Sequence, residues 1–158
     1  MNLINCTLAD VAHLFIKYHG YKSVGGLAVY CHAVIENGEP IAAFVWSPPP
    51  PGPCMVLSSA PGGAGVLALS RMVAVPKDER QLQKLSKPLR KIMRDGAYID
   101  RGRWPVLLTY SDSSLIGPTG KPHSGHVYLC SGWQKDGEVT RPYYENPTGQ
   151  RVSSYTNG

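Results

Sequence analysis

Between two runs rich in strand-forming residues, Leu27 to Ile35 and Ile41 to Trp46, the chain carries Asn37-Gly38. Asn-Gly at that spacing demands a two-residue turn with positive φ at both positions, so the runs must be antiparallel neighbours in one sheet. This hairpin constrains the fold more than any other feature, because the rest of the chain has to cover it. With 158 residues in all, the length suits one core and is short for two. Residues 1–158 are therefore expected to be a single domain. Residues 1–26 would form an N-terminal helix and loop, and residues 138–158 a polar C-terminal tail.

Before the hairpin, Thr7 and Asp10 have the spacing of a weak capping box, and Leu8, Val11, Ala12, Leu14 and Phe15 fall on one helical face. Gly20 and Gly25-Gly26 end that helix. After the hairpin, Pro48 to Pro51 with Pro53 must leave the sheet, since proline cannot donate to a ladder, and is expected as a stiff loop. Gly62 to Gly65 matches no phosphate-loop fingerprint. Val66 to Val75 is expected as a strand closed by Pro76. A helix is expected from about Gln81 to Arg94, with Leu82, Leu85, Leu89, Ile92 and Met93 inward. Pro88 means that it either begins near Ser86 or kinks; a start at Ser86 places the proline in the first turn, where it is tolerated. Pro105 to Ser111 is a second apolar strand. A glycine- and proline-rich insertion, a short segment from Ser124 to Trp133 and the tail complete a mixed α+β order.

No stretch of eighteen apolar residues and no signal-peptide pattern is present, so no membrane partner is expected. Cys6, Cys31, Cys54 and Cys130 show no CxxC pair, which suits reduced, partly buried thiols in a cytoplasmic protein rather than a disulfide framework. The net charge of +5 is concentrated: Lys77, Arg80, Lys84, Lys87, Arg90, Lys91, Arg94, Arg101 and Arg103 crowd the middle of the chain. Such a segment either attracts the phosphates of a nucleic acid or nucleotide cofactor, or is a solvated helix face.

Three segments are candidates for chemistry. Leu69 to Val75 sets Ser70 and Arg71 in an apolar strand, and an arginine there faces an anionic partner in a cleft or lies on an edge strand facing water. Leu107 to Asp112 ends an apolar strand in Ser111-Asp112, where a carboxylate serves proton transfer or merely caps a turn. Gly125 to Trp133 contains Tyr128-x-x-x-Gly132-Trp133, a short helix stopped by glycine before an aromatic residue. His32 and His126 are expected to be structural, and His13 and His123 to lie at the surface.

A strand, basic loop, helix and strand followed by Tyr128-x-x-x-Gly132-Trp133 resembles the second half of a GNAT acyltransferase. More closely, Leu69-Ser70-Arg71, Leu85-Ser86-Lys87-x-Leu89-Arg90, Thr109-Tyr110-Ser111-Asp112 and Ser124 to Trp133 resemble, in order, the motifs of the phage Mom family of DNA-modifying proteins. Tyr18-His19-Gly20-Tyr21 resembles that family's N-terminal element. The likeness spans most of Tyr18 to Gly137, and departs from the family in the insertion Leu115 to Pro122 and in a loop, Pro76 to Lys87, without the usual glycines.

The resemblance implies an α+β, GNAT-like mixed central sheet flanked by helices, and a transferase that adds a carbamoylmethyl-type group to the N6 amine of adenine in double-stranded DNA. It further implies protection of phage DNA from restriction inside a bacterial host, and an acyl-CoA or acetyl-CoA cofactor. Ser70, Met72 and Val73 would line the pantetheine arm, Ser86 and Lys87 would hold phosphate, and Tyr21, Tyr110 and Ser111 would contact substrate. Asp112, or His19 in competition with it, would accept the N6 proton. Tyr128 would be the acid toward a thiolate leaving group, and Arg71 would fix an anionic group. Lys84, Arg90, Lys91, Arg94, Arg101 and Arg103 would grip the DNA backbone while the base leaves the stack. His19, Tyr21 and Asp112 alternatively suit a divalent metal such as iron. Acetyl transfer to a small amine or a protein, and a non-catalytic nucleic-acid-binding module, stay open beside this reading, as does the oligomeric state, a dimer included.

Overall fold

The computed structural model describes residues 2–19, 27–49, 64–76, 84–109, 126–133, 143–145 and 151–153. Its elements are β1 (Asn2–Asn5), α1 (Leu8–Tyr18), β2 (Tyr30–Glu36), β3 (Glu39–Ser47), β4 (Val66–Ala74), α2 (Ser86–Arg94), β5 (Val106–Thr109), α3 (His126–Cys130), β6 (Tyr143–Glu145) and β7 (Arg151–Ser153). β1 to β5 form one mixed sheet in that order, and β6 and β7 a separate two-stranded sheet.

The hairpin forms as its turn dictates. Asn37 has φ 51° and Gly38 φ 78°, and Glu36 pairs with Glu39 across the two-residue loop. These are the mirror-image turn dihedrals that match strand twist. β2 begins at Tyr30, three residues later than the β-formers suggest: Leu27 is 76% exposed and remains outside the ladder. β1 was not anticipated. Four residues are too few to show a period, and the strand exists because Asn2 to Asn5 find Ile35 to His32 of β2.

Burial on β3 is continuous from Ile41 to Ser47, which requires cover on both faces. Successive strand residues point to opposite sides. On one side, the His32 ring meets Tyr98, just beyond α2, at 5.5 Å, and Trp46 stacks on Trp133, just beyond α3, at 6.3 Å. Cys31, between Tyr30 and His32, points the other way, to Cys6 at the start of α1. α1 lies against β3 and β4 and buries Val11, Leu14 and Phe15. Its N-terminus is held by the expected capping box, the Thr7 N–H donating to Asp10 Oδ2 at 2.9 Å. That bond holds the Asp10 carboxyl below its ordinary range.

β4 and β5 run parallel, Val66 to Leu69 pairing with Val106 to Thr109, as expected for two strands joined by a helical crossover. α2 starts at Ser86 with Pro88 in its first turn, so the kinked alternative does not arise. Leu89 and Ile92 are fully buried while Lys87, Arg90, Lys91 and Arg94 are exposed. In the region read as a plain polar tail, residues 143–145 and 151–153 pair as an antiparallel hairpin; Tyr143-Tyr144 and Arg151-Val152 contain the β-formers that allow it. No helix among the described residues is long and apolar enough to cross a membrane.

Candidate active site at the β4 bulge

The β3–β4 ladder is interrupted where the sequence put its polar pair. Val45 faces Arg71 and Trp46 faces Leu69, so Ser70 is an extra residue in β4, a β-bulge. A bulge leaves carbonyls without a ladder partner, and they need other donors. Three side chains supply them. The Ser70 hydroxyl donates to Val45 O at 3.1 Å, Arg71 Nη1 to Ser70 O at 2.8 Å, and Thr109 Oγ1 to Leu69 O at 3.1 Å. The Ser70 proton being so engaged, the bond of 2.9 Å between Ser70 Oγ and the buried Ser47 Oγ takes its proton from Ser47. β4 pairs with β3 along its length, but the described pairing with β5 ends at Leu69, two residues before Arg71. Its half-buried side chain sits across from Val45, on the opposite face from Trp46 and Trp133.

Tyr128 approaches from that opposite face. Its hydroxyl is hydrogen-bonded to the Thr109 side chain, and burial pushes its pKa up, the Thr109 bond opposing this in part. The helix that carries Tyr128 ends in a Schellman motif. The Trp133 N–H donates to Tyr128 O at 3.1 Å and the Gly132 N–H to Leu129 O at 3.2 Å, with Gly132 at φ 94°. The accompanying apolar contact is the edge-to-face pair of Tyr128 and Trp133, 6.0 Å apart. The Tyr-x-x-x-Gly-Trp pattern is thus a helix stop that also seats the tyrosine against β5.

α3 is fastened to α2 as well. Buried Ser131 Oγ donates to Val127 O at 2.7 Å and lies 3.3 Å from Ser86 O, and Arg90 Nη2 donates to Cys130 O. Lys87, Arg90, Lys91 and Arg94, with Asp95, line a shallow basic depression on α2. Among the described residues no side chain caps the α2 N-terminus, where the Ser86 and Lys87 amides lie. Arg101 behaves differently from its neighbours: its guanidinium donates to Met93 O at 2.7 Å, Pro105 O at 2.8 Å and Trp104 O at 3.0 Å. It closes the α2–β5 connection. Arg103 lies over the Trp104 ring at 5.1 Å, and Lys84 is exposed.

Ser70, Thr109 and Tyr128 are therefore gathered around the end of the β4–β5 pairing, with Arg71 on the other face of the sheet. Met72 and Val73 follow on β4. His19 lies at the end of α1, buried, its backbone N–H donating to Phe15 O at 3.2 Å. Tyr21, Tyr110, Ser111 and Asp112 lie outside the described residues. Among the described residues no three or more His, Cys, Asp or Glu side chains cluster as metal ligands do. His13 is exposed and His32 buried, both as expected. Sequence reasoning passed over Thr109, Ser47 and Ser131, which are ordinary serines and threonines until the bulge and the α2–α3 contact give their hydroxyls a task. No protein-family model, curated protein or solved structure matches the chain.

Proposed function

We propose that this domain is an acyl-CoA-dependent transferase of the GNAT type that modifies the N6 amine of adenine in double-stranded DNA, as the resemblance to the Mom family implies. The observation that carries the proposal is the parallel β4–β5 pair with a bulge at Ser70, joined through a basic helix, with Tyr128 seated at the end of the pairing. The described pairing with β5 stops at Leu69 while β4 continues to Ala74. Among the described residues, the β5-facing edge of Ser70, Met72 and Val73 thus has no strand partner, which fits the amide groups of a pantetheine arm. The uncapped Ser86 and Lys87 amides at the α2 start, with the Lys87 side chain, fit its phosphates.

When bound, the acyl-CoA would supply the activated group and a thiolate leaving group. The chain's own task is proton control. Adenine N6 is a poor nucleophile, because its lone pair is delocalised into the ring, so a base must take its proton as the new bond forms. Asp112, three residues beyond Thr109, is assigned that role, with His19 as the competitor. Tyr128 keeps its proton at neutral pH because burial raises its pKa. Turning its hydroxyl from Thr109 toward the thiolate would deliver that proton. Lys87, Arg90, Lys91 and Arg94 would hold the phosphate backbone while the adenine leaves the stack. Substitution at N6 removes a major-groove donor that sequence-reading nucleases use, which is how such a product would resist restriction.

The test is expression in a bacterial host followed by mass analysis of nucleosides from its digested DNA. A heavier deoxyadenosine is expected from the wild-type chain, falling at least ~10²-fold with Asp112→Asn, the loss typical of removing a general base. Unmodified DNA together with acetylation of small amines by the purified protein would overturn the DNA reading. Normal levels of product from the Asp112→Asn variant would overturn the base assignment.

A further inference from the structure

Cys6 and Cys31 are 25 residues apart in sequence, yet their sulfurs are 3.6 Å apart. They face each other because Asn5 pairs with His32 and the Cys6 N–H continues the ladder to Cys31 O at 3.0 Å. The pair is asymmetric. Cys31 is 6% exposed, whereas Cys6 is half-buried; both line a surface groove with Thr7, Leu27 and Val29. Both are free thiols. We infer that Cys6 and Cys31 form a thiol–disulfide exchange site, which takes a small-molecule disulfide as its reagent and closes into a Cys6–Cys31 disulfide.

The electrostatics assign the roles. The contact between the two sulfurs lowers the Cys6 pKa, while that same contact and burial raise the Cys31 pKa. Cys6 is therefore the attacking thiolate, and it is also the sulfur that solvent reaches. In the first step Cys6 attacks one sulfur of R–S–S–R, forming a Cys6–S–S–R bond and releasing one RS⁻, which takes up the proton Cys6 gave to solvent. In the second step Cys31 loses its proton and attacks the Cys6 sulfur, expelling the second RS⁻ as RSH. Two protein thiols are oxidised by two electrons and the reagent is reduced to two RSH. The sulfurs need only close from 3.6 Å to the ~2.05 Å of a disulfide.

The site is tested by incubating the full chain with oxidised glutathione, quenching with acid and mapping the cysteines by mass spectrometry. The expected product is a peptide pair joining Cys6 to Cys31 with loss of two hydrogens, reversed by dithiothreitol. In Cys31→Ser the reaction should stop with glutathione held on Cys6. In Cys6→Ser, glutathione should reach buried Cys31 at least tenfold more slowly than it reaches Cys6 in Cys31→Ser. A wild-type chain that accumulates glutathione on Cys6 without resolving it would overturn the inference. So would one in which Cys6 and Cys31 stay reduced while exposed Cys130 reacts.

Discussion

His32 should make this fold sensitive to mild acid. Its side chain is fully buried, with Nε2 3.1 Å from Tyr98 O and Tyr98 edge-on to the ring. The neutral imidazole donates from Nε2, and Nδ1 has no hydrogen-bond partner among the described residues. Protonation would place a second N–H and a charge where neither is solvated, and burial accordingly lowers the pKa from 6.5 to about 4, the bond to Tyr98 opposing in part. Because the folded value is depressed, the unfolded chain binds the proton first as pH falls. Stability is complete above 6.5 and is lost progressively down to about 4. At about 1.4 kcal/mol per unit the full gap is about 3 kcal/mol, of which about 2 kcal/mol should disappear between pH 7 and pH 5. Asp10 does not interfere, since its carboxyl is held below 3.8 and titrates under that window. Urea unfolding followed by tryptophan fluorescence at a series of pH values measures the loss. His32→Gln keeps a donor for Tyr98 O but does not titrate, so its stability should fall by about 2 kcal/mol less over the same range. Equal losses in wild type and variant would refute the reasoning.

Replacing Gly132 by alanine should cost about 1 kcal/mol, read as a shifted urea midpoint, because φ 94° is unfavourable for a residue with a Cβ even though the nearest atom, on Arg94, is 3.6 Å away. Tyr128→Phe should lose about 1 kcal/mol for the buried bond to Thr109, leaving DNA binding intact while nucleoside analysis shows reduced modification. If α2 grips DNA, Lys91→Ala with Arg94→Ala should flatten the slope of log affinity against log salt by about 2; an unchanged slope returns this face to solvated surface. Arg101→Ala should instead act on stability, lowering it by about 1 kcal/mol in urea unfolding with little change in the salt slope, because its donors are held by three carbonyls.

What the sequence determined by itself is whatever a few adjacent residues decide by sterics or by one short hydrogen bond. Asn37-Gly38 set the hairpin, Thr7 and Asp10 the start of α1, Pro88 the start of α2, and Gly132 the end of α3. The alternation and 3.6-residue spacing of apolar residues chose strand or helix for the long elements, and the strand–helix–strand order led to a parallel β4–β5 pair. The tertiary structure decided whatever depends on distant partners. β1 is a strand only because β2 accepts it, and the bulge puts Ser70 out of register only because Val45 and Trp46 fix the partners on β3. Arg101, one of the nine basic residues crowded into the middle of the chain, becomes a brace because three carbonyls converge on it. Cys6 and Cys31 looked scattered until a ladder set their sulfurs side by side, and the pKa of His32 is lowered by burial, which a carbonyl 66 residues away opposes in part. Local geometry is encoded in neighbouring residues and can be read from them, whereas burial and long-range pairing belong to the assembled sheet, and they set the reactivity of these side chains.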